Sequence, residues 1–209
     1  MNKYRLISQY VAINLAGIGF LILAWLNGWF TRVIDADSSY VSFVIVALFV
    51  FALISSTQRV LIISNELDLL HNRKARTSQR LEKYRLALKN SSSASRALEI
   101  RMFSRITHLR SIGNGMVVLG LIGTVIGFIL VAAEVNTETA SDVGQVGALV
   151  SSLLRGMGVA FYTTLVGAIF SLWLSLNYQI LHSGTALLTA ALMTEAGDQD
   201  PEALIAGNA

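Results

Sequence analysis

Two threonines sit where a polar group is least expected. Thr124 lies within the apolar run "LGLIGTVIGF" and Thr164 within "GMGVAFYTTLVGAIFSLWLSLNY". Around Thr124, the glycines Gly120, Gly123 and Gly127 fall three and four residues apart, on one face of a helix. Around Thr164, a second stripe of small and polar residues runs Ala160, Thr164, Gly167, Ser171, Ser175, Tyr178. Hydroxyls in such settings can bond a carbonyl one turn back, or offer oxygen to a passing cation or protonated group. Small residues let helix backbones approach closely. Thr163 shares the threonine pair, but a neighbour one residue away points about 100° elsewhere.

The other chemistries are poorly served. No cysteine is present, and His71, His108 and His182 are too far apart in sequence for a metal-ligand spacing. No nucleophile and base pair, phosphate loop or metal set appears, so the reading is of a non-enzyme without a cofactor. An ionisable residue inside a membrane helix is the usual mark of an ion relay. The apolar runs carry none at mid-depth; Glu134 and Arg155 stand at their ends. If this chain conducts protons, the titrating carboxylate must come from another chain.

The elements that hold these stripes are membrane helices. The chain is 54% hydrophobic and 14% charged over 209 residues, against roughly 25% charged in a soluble domain. Crossing the hydrocarbon takes about 20 mainly apolar residues. Four segments come near that: Leu6 to Phe30, Tyr40 to about Ser56, Gly115 to Ala133, and about Gly156 to Ile180. Continuous runs without alternation exclude a barrel and leave an all-α integral membrane protein of four transmembrane helices. Twelve of the sixteen Lys and Arg lie between Arg59 and Arg110, while the connections "TRVIDADSSY" and "EVNTETASDVGQVG" are acidic. The positive-inside rule then places both termini and the long basic segment in the cytoplasm.

The expected organisation follows. Residues 1–56 hold spans one and two as an outer layer. Residues 57–114 form a basic cytoplasmic segment, in which spans two and three extend as a helical pair. Residues 115–180 hold spans three and four as an inner, pore-lining layer, and 181–209 form a loosely ordered cytoplasmic tail. Within the basic segment, "NSSS" from Asn90 marks a break, and Leu98, Met102, Ile106 and Leu109 form a helical stripe. The basic residues read as topology control and contact with anionic membrane lipids rather than nucleic-acid binding.

At the two threonine segments the sequence resembles the MotA/TolQ/ExbB family of ion-driven membrane motors. "LGLIGTVIGF" is similar to a TolQ and ExbB motif of the form L-G-L-x-G-T-V-x-G. "GMGVAFYTTLVGAIFSLWLSLNY" is similar to the family's last membrane helix. Four spans in this orientation fit the MotA-like branch. The resemblance implies a homo-oligomeric ring, a pentamer in the family, in a bacterial inner membrane. It implies a single-span partner of the MotB/TolR/ExbD kind whose helix carries one Asp, with H⁺ or Na⁺ as the translocated ion. Thr124 and Thr164, with Thr163 beside them, would line the ion pathway. Gly120, Gly123, Gly127, Ala160, Gly167, Ser171 and Tyr178 would pack against the partner helices. The chain departs from the pattern in three places. Val159 stands where TolQ and ExbB have a Glu, Trp173 falls near a usual proline, and the membrane segments have no proline at all.

Overall fold

A computed structural model describes residues 3–36, 40–71, 81–84, 86, 93–134 and 146–199. Among the described residues the regular structure is entirely helical. Helix α1 spans Lys3–Leu26, α2 Trp29–Ala36, α3 Val41–His71, α4 Ala94–Glu134 and α5 Val146–Gln199. Four of these, α1, α3, α4 and α5, are long and apolar enough to cross a membrane. In hydrocarbon every backbone N–H and C=O must be satisfied within the protein, and a helix does that inside one segment.

Three boundaries differ from the sequence reading. The first span stops at Leu26 instead of running to Phe30. Gly28 adopts φ of 69°, its N–H donates to the Trp25 carbonyl at 2.9 Å, and the Asn27 side-chain amide donates to the Leu23 carbonyl at 2.8 Å. A glycine in the left-handed region is the common end of a helix. The residues after it form α2, whose apolar face carries Phe30, Val33 and Ile34 while Arg32 and Asp35 are exposed. The fourth helix begins before Gly156, at Val146. It also runs on through the expected loose tail to Gln199, because Leu181, Leu188, Leu192 and Ala196 continue a buried helical stripe. The last ten residues, the "NSSS" break before Ser93 and most of the acidic connection after Glu134 lie outside the described residues.

The second span continues to His71, and the third begins at Ala94, so both carry long extensions beyond their apolar runs. The chain forms two compact units: Leu15–Leu53 with Ser111–Ser175, and Met1–Asn14 with Ile54–Arg110 and Leu176–Ala209. In the first unit, Phe49 of α3 stacks on Phe170 of α5 with ring centroids 4.4 Å apart, and tilts against Trp173 at 4.9 Å. Trp173 fills the notch left by Gly17 of α1, where a Cβ would overlap the indole.

In the second unit, Met102, Ile106 and Leu109 of α4 are buried and Leu98 is half-buried, as their spacing predicts. Arg59 of α3 lies within electrostatic reach of Arg105 and His108 of α4, so these two helices are neighbours there. Leu6 of α1 occupies the notch at Gly184 of α5. Two polar links tie α1 to its neighbours: Tyr10 shares a hydrogen bond with Thr57 at 2.8 Å, and the Asn14 amide donates to the Asn177 side-chain oxygen at 2.7 Å.

Candidate functional site: the threonine–glycine seam of α4 and α5

The first unit brings the two small-residue stripes together as one seam. Gly120, Gly123 and Gly127 of α4 are buried, and so are Gly156, Ala160, Thr163 and Gly167 of α5. At Gly127 a Cβ would stand 2.7 Å from the Gly156 carbonyl and 3.0 Å from the Ala160 nitrogen. At Gly167 it would stand 2.7 Å from the Met116 carbonyl. At Gly120 it would meet the Thr164 Cα at 3.1 Å and the Thr163 carbonyl at 3.2 Å. Backbone thus lies against backbone along the seam, which is what small residues permit in a membrane helix pair. Gly123 differs: the space in front of it is taken by the Thr163 side chain, with Cβ 2.6 Å from where a glycine Cβ would be.

The three threonines take three different places. Thr163 is fully buried, and its hydroxyl bonds the Val159 carbonyl at 2.9 Å and the Ala160 carbonyl at 3.1 Å. Thr164 is half-buried, and its hydroxyl donates across the seam to the Gly120 carbonyl at 3.0 Å. Thr124 is half-buried on the flank of α4, and its hydroxyl donates to the Leu121 carbonyl at 2.6 Å. The Thr164 bond matters most for geometry. It ties α5 to α4 where Gly120 lies against Thr164, and bonds of this kind are worth about 0.6 kcal/mol in membranes.

Gly120, Gly123, Gly127, Ala160 and Gly167 make room that is filled from within the chain. The buried line on α5 runs Gly156, Ala160, Thr163, Gly167, Phe170 and Leu174, one residue round from the stripe read off the sequence. Ser171 is half-buried, 3.9 Å from where a Cβ on Gly113 would be, and Ser175 is exposed. Tyr178, in the other compact unit, is half-buried with its ring 5.8 Å from that of His182.

Sequence reasoning missed Gly156 and the Asn14–Asn177 pair. Gly156 was findable, since it precedes Ala160 by four. Asn177 is fully buried, and Asn14 donates both to it and to the Tyr10 carbonyl at 2.8 Å. Its only signal was one amide inside "LWLSLNY". Among the described residues, no three His, Asp or Glu side chains come together as a metal site requires.

What this seam can do is hold two helices at close range and leave hydroxyls at and beside the joint. No curated protein and no solved structure matches the chain. A family profile does match, over residues 56–193, about two thirds of the chain and including the whole seam. This multi-pass membrane protein, with Thr124, Thr163 and Thr164 on its close-packed third and fourth spans, belongs to the MotA/TolQ/ExbB proton channel family.

Proposed function

We propose that the chain is the channel-forming subunit of a bacterial inner-membrane motor driven by the proton or sodium motive force. Identical subunits, five in this reading, form a ring around a single-span partner of the MotB/TolR/ExbD kind, whose helix brings the titrating Asp. Both termini face the cytoplasm. The α4–α5 pair of each subunit faces the partner, and Thr124 and Thr164 flank the path of H⁺ or Na⁺. Thr163 supports the path from behind by filling Gly123. Partner helices rest on the outer edge of the seam, near Ser171, rather than in the room the glycines make; Tyr178, in the other compact unit, is a separate partner contact in this reading. The carrying observation is a conjunction. Two close-packed helices offer hydroxyls at their joint, and no membrane run supplies a carboxylate of its own. Hydroxyls lower the cost of partly dehydrating a cation, but they do not titrate near neutral pH.

The test is a search of the neighbouring genes for a single-span protein with one membrane Asp, then co-expression with it, co-purification, imaging and ion-flux measurement in vesicles. Thr164→Val should leave the complex assembled and lower flux. Wild-type flux in that variant returns Thr164 to packing alone.

A second reading is favoured by the burial of the glycines: a structural or assembly membrane protein, in which the Gly, Ser and Thr faces serve only helix packing and the basic segment recruits a cytoplasmic protein. The absence of any single-span protein with a membrane Asp from the purified complex favours this alternative.

A further inference from the structure

We propose that a cavity in the first compact unit, walled by α1, α2, α3 and α5, seats one acyl chain of a membrane phospholipid whose ethanolamine-type headgroup is held by α2. The cavity has a volume of about 220 Å³ and is lined by Phe20, Ala24, Phe30, Ile34, Val46 and Ile169 among others; of its lining side chains only Ser42 and Trp29 carry a polar atom. An apolar hole of this size excludes water, which needs two to four polar partners, and it accepts apolar ligands. The site therefore takes neither an ion nor a hydrated solute.

The cavity opens outward. Phe20, Trp29 and Ile34 on its wall leave 46%, 47% and 53% of their surface exposed. In a chain that crosses a membrane on four helices, what lies outside an apolar wall is lipid. Aromatic pairs stand at its wall: Trp25 packs on the lining Phe30 at 5.5 Å, and Tyr40 on the lining Phe43 at 6.2 Å. Trp and Tyr gather where hydrocarbon meets headgroups.

Helix α2 supplies the head site. Phe30, Val33 and Ile34 line the cavity from one face, while Arg32 and Asp35, three residues apart, are exposed on the other. A short helix with one apolar and one charged face lies in the interface plane. Here the charged face offers one cation and one anion. That is the complement of a headgroup with one phosphate and one primary ammonium. Arg32 suits the phosphate because its guanidinium can bind two oxygens at once, and Asp35 accepts from the ammonium. An anionic glycerol headgroup would satisfy Arg32 and leave Asp35 facing like charge. This assignment rests on the membrane embedding and not on the motor reading.

Native mass spectrometry of the full-length assembly tests it. The protein is reconstituted in vesicles of phosphatidylethanolamine or phosphatidylglycerol, then extracted into a common detergent. One phosphatidylethanolamine per chain should be retained, several-fold more than phosphatidylglycerol. Ala24→Trp and Val46→Phe, which fill the cavity from two walls, should each lower retention without changing the subunit mass distribution. Asp35→Asn should erase the headgroup preference, a change of about fivefold for one exposed ion pair. Wild-type protein that retains no lipid overturns the proposal, as does unchanged retention in both filled variants. A chain-to-chain cross-link between cysteines placed at Ile34 and Leu165 in lipid-free protein also overturns it, and assigns the cavity to a second copy.

Discussion

Adding one methyl group at three glycines of the seam should have consequences that differ in kind. At Gly127 and Gly167 the atoms in the way are backbone carbonyls, each 2.7 Å from the new carbon. Ordinary contact begins at 3.4 Å, so α4 and α5 must separate by about 0.7 Å there. Overpacking of this sort costs about 1–3 kcal/mol, and no side-chain truncation relieves it. At Gly123 the obstacle is the Thr163 side chain, whose β-branched χ1 is stiff and whose hydroxyl is already bonded to Val159 and Ala160. Gly123→Ala alone should cost about 2 kcal/mol. Thr163→Gly alone should cost about 2 kcal/mol, about 1 for a glycine inside a helix and about 1 for the lost hydroxyl, whose carbonyl acceptors stay bonded within α5. An alanine at 163 would keep its Cβ 2.6 Å from the new carbon, so only Gly123→Ala with Thr163→Gly clears the space, and that double variant should recover more than 0.5 kcal/mol of the sum, a clear coupling for residues in contact. Gly127→Ala with Thr163→Gly, whose sites share only Ala160 and do not meet directly, should show a clearly smaller coupling. Denaturation of the purified protein in mixed micelles, followed by near-ultraviolet dichroism, reads all the values. Equal coupling for Gly123 and Gly127, or none for either, refutes the description of the seam.

Three further outcomes are expected. Thr164→Val removes the bond to the Gly120 carbonyl and should lower stability by only about 0.6 kcal/mol, measured in the same micelle assay. Asn177→Ala leaves the Asn14 amide without its 2.7 Å partner, so it should cost about 1–3 kcal/mol, while Asn14→Leu with Asn177→Leu should recover most of the loss. Gly28→Ala forces a side chain into φ of 69° and should destabilise the α1–α2 corner by about 1 kcal/mol, detected as faster amide exchange at Asn27 and Thr31.

The membrane helices were legible because hydrocarbon imposes its length on the sequence, and apolar runs of the required size occur four times. The ends were less so. Phe30 is as apolar as the residues before Gly28, so composition runs smoothly across a corner that only one backbone angle reveals. Beyond His182, alanines and threonines dilute the apolar signal, yet Leu188 and Leu192 are fully buried against the compact unit they belong to. The seam itself was half legible. Glycines three and four apart announce a close approach but not the occupant, and here the occupant is the neighbouring helix. Adjacent threonines blurred the phase by one residue: Thr163 is the one fully buried, while Thr164 reaches across. Asn14 and Asn177, far apart in sequence, carried no mark that they would meet.

The seam between α4 and α5 also limits how this protein can move. Sliding α5 by one turn, about 5.4 Å, would bring Thr163 or Ser171 to the place now held by Gly167. Both carry a Cβ, and the Met116 carbonyl stands 2.7 Å from where one would be, so neither fits. The joint therefore has a single detent, and the two helices travel as one stave. Any working stroke has to be taken up at the outer edges of that stave, where its flanks meet other surfaces, and not by slippage along its length.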